Sequence, residues 1–223
     1  MLRGRDGNIP SRVDSYLFDL DGTLVDSAGR IRRTLRTTLE NCLGLSPGAD
    51  EIAGHTGVSL WEIMRSYEAE RVDELVDYYR EYYAAIGPTP PFPGIVDILD
   101  LLRERDCNLA VVTTKGRESA EDHLYEARLM GHFSVVVTSN EVTRTKPSRE
   151  PVALALSLLD STPRRAIMIG DAEADILSGR SAGTLTGWAR WGTDRLPHFD
   201  GIPPDFVWDQ PCELMRDLPR EVR

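Results

Sequence analysis

The chain has no run of eighteen uninterrupted apolar residues among its 223, so the sequence predicts no membrane-spanning helix. Its opening residues are basic but have no apolar stretch behind them, which excludes a secretory signal and predicts a short disordered lead-in. Cysteine is scarce: Cys42, Cys107 and Cys212 are scattered, odd in number and without CxxC spacing. That pattern argues against a disulfide scaffold and a zinc site, and suits a reducing cytoplasm. Positive charge is also short. The formal net charge of -10 disfavours nucleic acid or an anionic membrane as partner, though not a small anion held in a local pocket. Lysine is nearly missing: of 26 basic residues only Lys115 and Lys146 are lysine. A lysine kept in so arginine-rich a chain suggests a need for a compact, rotatable ammonium, and Lys146 fits that need.

What is present is an alternation of apolar runs and helical patterns. Short runs at 16–18, 109–112, 135–137, 166–169 and 184–188 read as buried parallel strands, because helices covering both sheet faces remove the polar alternation. Ile95, Ile98, Leu99 and Leu102 recur at helical spacing after Pro93. A second helical segment follows "KPSREP", and a third, around Ile176 and Leu177, is closed by Gly183. The sequence therefore predicts an α/β fold with a doubly wound, mostly parallel sheet. Residues 26–91 break the rhythm and read as helices, with a polar break at "SPGADEIAGHTG". This divides the chain into an α/β core, 1–25 and 92–223, and an inserted helical cap, 26–91. The prolines of "GPTPPFPG" stiffen the return. Beyond residue 190 the pattern is loops broken by proline, with one short strand candidate, "DFVW".

Four groups of polar residues lie just past strand ends, where such sheets place their sites. They are Asp19 and Asp21 in "DLDGTLVDS", Thr113 and Thr114 in "VVTTK", Lys146 in "TKPS", and Asp171 and Asp175 in "GDAEADI". Carboxylates so close disfavour one another's ionised form unless a cation or a proton-transfer role justifies them. Mg²⁺, which prefers oxygen ligands and bridges to phosphate, explains the acids. A phosphate held by that ion, Lys146 and the Thr113 hydroxyl is open to in-line attack by Asp19, with Asp21 moving the proton.

These segments, in this order, resemble the four motifs of the haloacid dehalogenase superfamily, in its phosphoglycolate phosphatase-like group with a small helical cap. The similarity runs from residue 16 to residue 218 and takes in "PFPG" and "WARWG". The resemblance implies Asp19 as nucleophile, Asp21 as acid and base, and Thr113, Thr114 and Lys146 as phosphate-binding groups. It further implies metal bound by Asp19, Asp171 and the backbone carbonyl of Asp21, with Asp175 steadying the metal through water or Lys146. His55 stands where caps of the family carry a substrate loop. Thr114 replaces a common asparagine, Ala172 a common serine and Arg149 a common proline; none of these removes a catalytic group.

The implied function is a Mg²⁺-dependent, cytoplasmic phosphatase of a small phosphorylated, phosphoglycolate-like metabolite, working through an aspartyl-phosphate as monomer or homodimer. Inorganic pyrophosphatase, nucleotide phosphatase and sugar-phosphate mutase share the core, and a non-catalytic phosphate-binding regulator is the alternative outside catalysis. Dehalogenases of the superfamily lack the second acid, here Asp21. Phosphonate hydrolases need a cap lysine, and 26–91 contains none. Mutases usually carry glutamate where Gly170 stands. Other polar and aromatic residues read as structural: Lys115 as a helix-start or surface residue, Tyr78, Tyr79, Tyr82 and Tyr83 as packing, Trp188 and Trp191 as core or rim, and "RIRRTLR" as a solvated helix face.

Overall fold

The computed structural model describes residues 13–55, 58–193, 199 and 203–217. The predicted lead-in at the amino terminus lies outside them. Six strands form one parallel sheet: β1 (Ser15–Phe18), β2 (Asn108–Val112), β3 (Val135–Val137), β4 (Ala166–Gly170), β5 (Leu185–Ala189) and β6 (Phe206–Trp208). Their order is β3-β2-β1-β4-β5-β6. The five predicted strands are present, and "DFVW" supplies the sixth.

Side chains alternate across the sheet. Tyr16 and Phe18 face one apolar layer with Val111 and Ile169, while Leu17 faces the other with Ala110, Val112 and Met168. Helices cover both faces, so both sides of each inner strand are apolar. In the chain's numbering these helices are α5 (Ile95–Glu104), α6 (Arg117–Glu126), α7 (Glu150–Leu158) and α8 (Glu173–Ala182). The predicted stripe of Ile95, Ile98, Leu99 and Leu102 is fully buried, and the helix starts at Ile95 with Gly94 as its cap, just past Pro93. Gly183 closes α8 at φ 88°, a left-handed conformation that glycine adopts without strain.

Between β1 and β2 lie α1 (Ala28–Leu43), α2 (Ala49–Ala53), α3 (Leu60–Tyr67) and α4 (Val72–Ala85). They bury an apolar cluster of their own, built on Leu35, Leu39, Met64, Leu75 and Tyr79. The predicted polar break is not uniform, because α2 sits inside it: Ile52 supplies one buried anchor, enough for a single short helix. Ser59 and Glu62 form a capping box that starts α3. The two chain crossings between helices and sheet are tied together, Asp26 N donating to Pro90 O and Phe92 N to Leu24 O, each at 3.0 Å. No helix among the described residues is long and apolar enough to cross a membrane.

Candidate active site

The strand order fixes where a site can form. From β1 the chain works outward to β2 and β3, then returns to β4 on the opposite side, so the crevice lies beyond the carboxyl ends of β1 and β4. Phe18 pairs with both Val111 and Ile169. Asp19 therefore ends level with Val112 and Gly170, with Thr113 and Asp171 one step farther out.

Asp19, Asp171 and Asp175 are all buried, and each offers a carboxylate oxygen within 4.8 Å of the others. Lys146 reaches into this cluster. Its Nζ donates to Asp19 Oδ1 at 2.5 Å, Asp175 Oδ1 at 2.6 Å and Val112 O at 2.9 Å. One ammonium among three carboxylates leaves the cluster short of positive charge. Burial accordingly pushes the Asp19 carboxyl up to about 7, Lys146 pulling against it and Asp175 with it. Burial also drives Asp171 well above the ordinary range, reinforced by Asp19 and Asp175. The neighbouring carboxylates raise Lys146 despite its own burial.

Glycine makes this density possible. A Cβ on Gly22, whose φ is +83°, would sit 2.5 Å from Asp171 Oδ2; one on Gly170 would sit 2.2 Å from the Asp175 carboxyl carbon. Asp175 lies in the first turn of α8, yet it turns inward to Lys146 and accepts the Ala172 amide at 3.0 Å. An all-oxygen donor set, starved of positive charge and with no thiol or imidazole, suits a hard divalent cation such as Mg²⁺.

Asp21 lives in a different setting. Lys115 Nζ lies 2.9 Å from its Oδ2, and His123 Nδ1 lies 3.3 Å from its Oδ1. Burial alone would raise this carboxyl, but the Lys115 ammonium and then His123 hold it well below the usual carboxylate range. Lys115 is thus no surface residue, contrary to the sequence reading. The bend after β2 brings it back over the end of β1. Its amide also donates to the Thr113 hydroxyl at 3.1 Å, so Thr113 is buried at the turn while Thr114 is only half-buried beside it.

His55 is placed elsewhere. Its ring meets Tyr67, Nε2 to hydroxyl at 3.1 Å, and Tyr67 in turn donates to Glu51, all within the helical segment. Two tryptophans read as core or rim brace the site from behind: Trp188 Nε1 donates to Asp171 O at 3.1 Å and Trp191 Nε1 to Thr23 O at 3.0 Å. The basic run on α1 divides. Arg32, Arg33 and Arg36 are solvated as expected, whereas Arg30 turns inward to pair with Glu126 at 3.0 Å. Tyr79 and Tyr83 pack as expected.

His123 was not singled out by the sequence. The available signal is its position on the apolar stripe of α6, between buried Ala120, Leu124 and Ala127. A polar residue on such a stripe needs a partner.

Comparison with known proteins agrees with this geometry. The pyrophosphatase PpaX of Bacillus pumilus is 32% identical over 207 residues, covering 92% of this chain and 96% of that protein. The PpaX of Anoxybacillus flavithermus is 30% identical over 208 residues, covering 92% and 97%. Among solved structures, a haloacid dehalogenase-like family protein from Streptococcus pneumoniae superposes with TM-score 0.79 at 29% identity, over 92% of this chain and 98% of that one. CbbY of Rhodobacter sphaeroides, solved with phosphate, shares the fold at TM-score 0.80 and 24% identity, over 91% and 96%. Residues 16–189 match the haloacid dehalogenase-like hydrolase family, and the chain belongs to it.

Proposed function

We propose that this hydrolase is a Mg²⁺-dependent phosphatase of small phosphorylated metabolites, with Asp19 as nucleophile. The observation that carries the reading is the pairing of two aspartates on one strand end with opposite surroundings. Asp19 sits in a buried cluster short of positive charge, and Asp21 two residues on is gripped by the Lys115 ammonium and faced by the His123 imidazole. Asp19 and Asp171, with the backbone of Asp21, would hold the metal, and Asp175 would steady it through Lys146. Bound there, Mg²⁺ supplies charge neutralisation for a phosphoryl group.

The chain's own residues then divide the chemistry. An Asp19 oxygen bonds to phosphorus as the bond to the leaving oxygen breaks, and Asp21 gives that oxygen a proton. In the second half Asp21 takes a proton from water, whose oxygen attacks phosphorus and frees Asp19. Asp21 as it stands is the carboxylate, the form required for the second half. Its donor role needs the Lys115 pair loosened, which an anionic substrate drawn to that ammonium accomplishes. Lys146 orients Asp19 and balances the phosphoryl oxygens, and the Thr113 hydroxyl donates to them. Uncatalysed phosphate-monoester hydrolysis demands enhancements up to roughly 10²¹, which favours such a preorganised cluster over a lone base.

Pyrophosphate is the substrate favoured by the full-length similarity to proteins named PpaX. The helical segment 26–91 acts as the cap that selects among phosphate esters. The test is phosphate release from pyrophosphate, phosphoglycolate and p-nitrophenyl phosphate, with Mg²⁺ and with EDTA, for the native enzyme and Asp19→Asn. Turnover should vanish with EDTA and with the substitution; turnover surviving both removes the proposal.

A further inference from the structure

Four buried side-chain atoms make no hydrogen bond among the described residues: Asp21 Oδ1, Ser27 Oγ and both ring nitrogens of His123. All belong to one spot, since the Ser27 hydroxyl and the His123 ring both face the Asp21 carboxyl. Buried polar atoms are normally satisfied, so a knot of them around a single carboxylate calls for a reason beyond packing. His123 is only 2% exposed, and its Nδ1 approaches Oδ1 to 3.3 Å without the alignment of a hydrogen bond.

The imidazole is held from the helical segment. Tyr83 of α4 stacks on it with ring centres 4.9 Å apart and planes 21° from parallel. The same tyrosine ring lies 5.3 Å from Lys115 Nζ, so it touches both groups that grip Asp21. Tyr83 is itself clamped. The Arg30 guanidinium sits 3.7 Å over its ring and donates to its carbonyl, and it also bonds Thr89 and Glu126, the latter on α6 three residues beyond His123.

We propose that His123 is a positioning residue for the Asp21 carboxyl and that Tyr83 presses the imidazole into place. Docking of the helical segment on the sheet thereby fixes the proton-transfer group. The proposal rests on the phosphatase reading above. A stacked ring has its plane set, which keeps the Nδ1 edge turned to Oδ1 and limits rotation of the carboxyl about its Cβ bond. Angular precision of that kind is what a proton donor needs, and small misplacement is costly: about 1 Å can lose roughly 100-fold in rate.

The test compares two esters of similar shape. p-Nitrophenyl phosphate releases a stable phenolate that needs little protonation, whereas phenyl phosphate releases a more basic oxygen that draws on Asp21. His123→Ala is expected to lower kcat/KM on phenyl phosphate roughly 10- to 100-fold and on p-nitrophenyl phosphate less than about threefold. His123→Asn, whose amide nitrogen takes the place of Nδ1, should recover most of the loss. Tyr83→Leu should show the same substrate-dependent loss and add nothing to His123→Ala, while Tyr83→Phe, which keeps the stack, should be silent. Thermal melts verify folding, and the Asn and Phe variants preserve the test if the others unfold. Equal losses on the two esters, or no recovery with Asn, overturn the positioning role. A native enzyme that hydrolyses neither these esters nor pyrophosphate would instead sink the phosphatase reading itself.

Discussion

Asp19 and Asp21 leave the same strand two residues apart, yet their surroundings have opposite effects. Around Asp19 the carboxylates outnumber the single ammonium of Lys146, and protonation is favoured up to about 7. Around Asp21 an ammonium and an imidazole face one carboxylate, and ionisation is favoured. Paired acids whose environments push them apart can take different tasks, one as nucleophile under a metal and the other as proton carrier. The split arises just past the strand: residues two apart in an extended strand share a face, but the chain bends at Leu20, so Asp19 meets Lys146 while Asp21 meets Lys115 of the β2 end and His123 of α6.

The sharpest way to break this comparison is to neutralise each acid in turn. Asp19→Asn should remove at least about 10⁴ in kcat on every ester, since nothing would replace the proposed nucleophile. Asp21→Asn should lose roughly 10² to 10⁴, and least with activated aryl esters. Identical substrate profiles for the two variants, measured by steady-state kinetics, would mean the acids are not specialised.

Stability offers the second probe. Lys146→Met strands buried Asp19 and Asp175 without their ammonium and should cost about 3–5 kcal/mol in urea unfolding. Lys115→Met should cost only about 1–2 kcal/mol, because the Asp21 side chain is 21% exposed and water compensates. A reversed order would show that the Asp21 corner, not the Asp19 cluster, is the more tightly coupled.

A smaller effect follows from pH. The folded value of Asp19 lies near 7 against an ordinary 3.8, so the metal-free fold holds an extra proton between those values. Its stability therefore declines as pH rises through that window. If Mg²⁺ binds the ionised carboxylates as proposed, the melting temperature should rise by several degrees with Mg²⁺ at about pH 8 and little at about pH 5. Calorimetry showing equal gains at both would remove the cluster as the metal site. Smallest of all, Trp191→Phe deletes one indole hydrogen bond to the loop bearing Asp21 and should cost about 1 kcal/mol, with activity changed less than tenfold.

Much of this was legible in the sequence because the carboxyl ends of buried parallel strands carry their polar residues in short, compact motifs. Asp19, Lys146, Asp171 and Asp175 converge as their spacing implied. The sheet was legible for the same reason, its strands being unbroken apolar runs. What stayed hidden depends on contacts between distant segments. Lys115 meets Asp21 only through the pairing of β1 with β2, and nothing local to "VVTTKG" distinguishes it from a helix-start residue. His123 is concealed by its helix, and Arg30 by neighbours of the same charge that remain in solvent. The helix α2 was hidden by its brevity, five residues being too few to show a period.

Gly192 bears on how the protein comes into being. A Cβ there would lie 1.5 Å from the carbonyl oxygen of Gly22, so the loop after β5 forms the rear wall of the turn between Asp21 and Thr23. That wall is about 170 residues downstream of the turn it supports. During synthesis Asp19 and Asp21 emerge well before Gly192, so their setting is finished only after the loop following β5 has left the ribosome. A growing chain thus carries Asp19 and Asp21 through the synthesis of about 170 further residues without the wall that completes their surroundings.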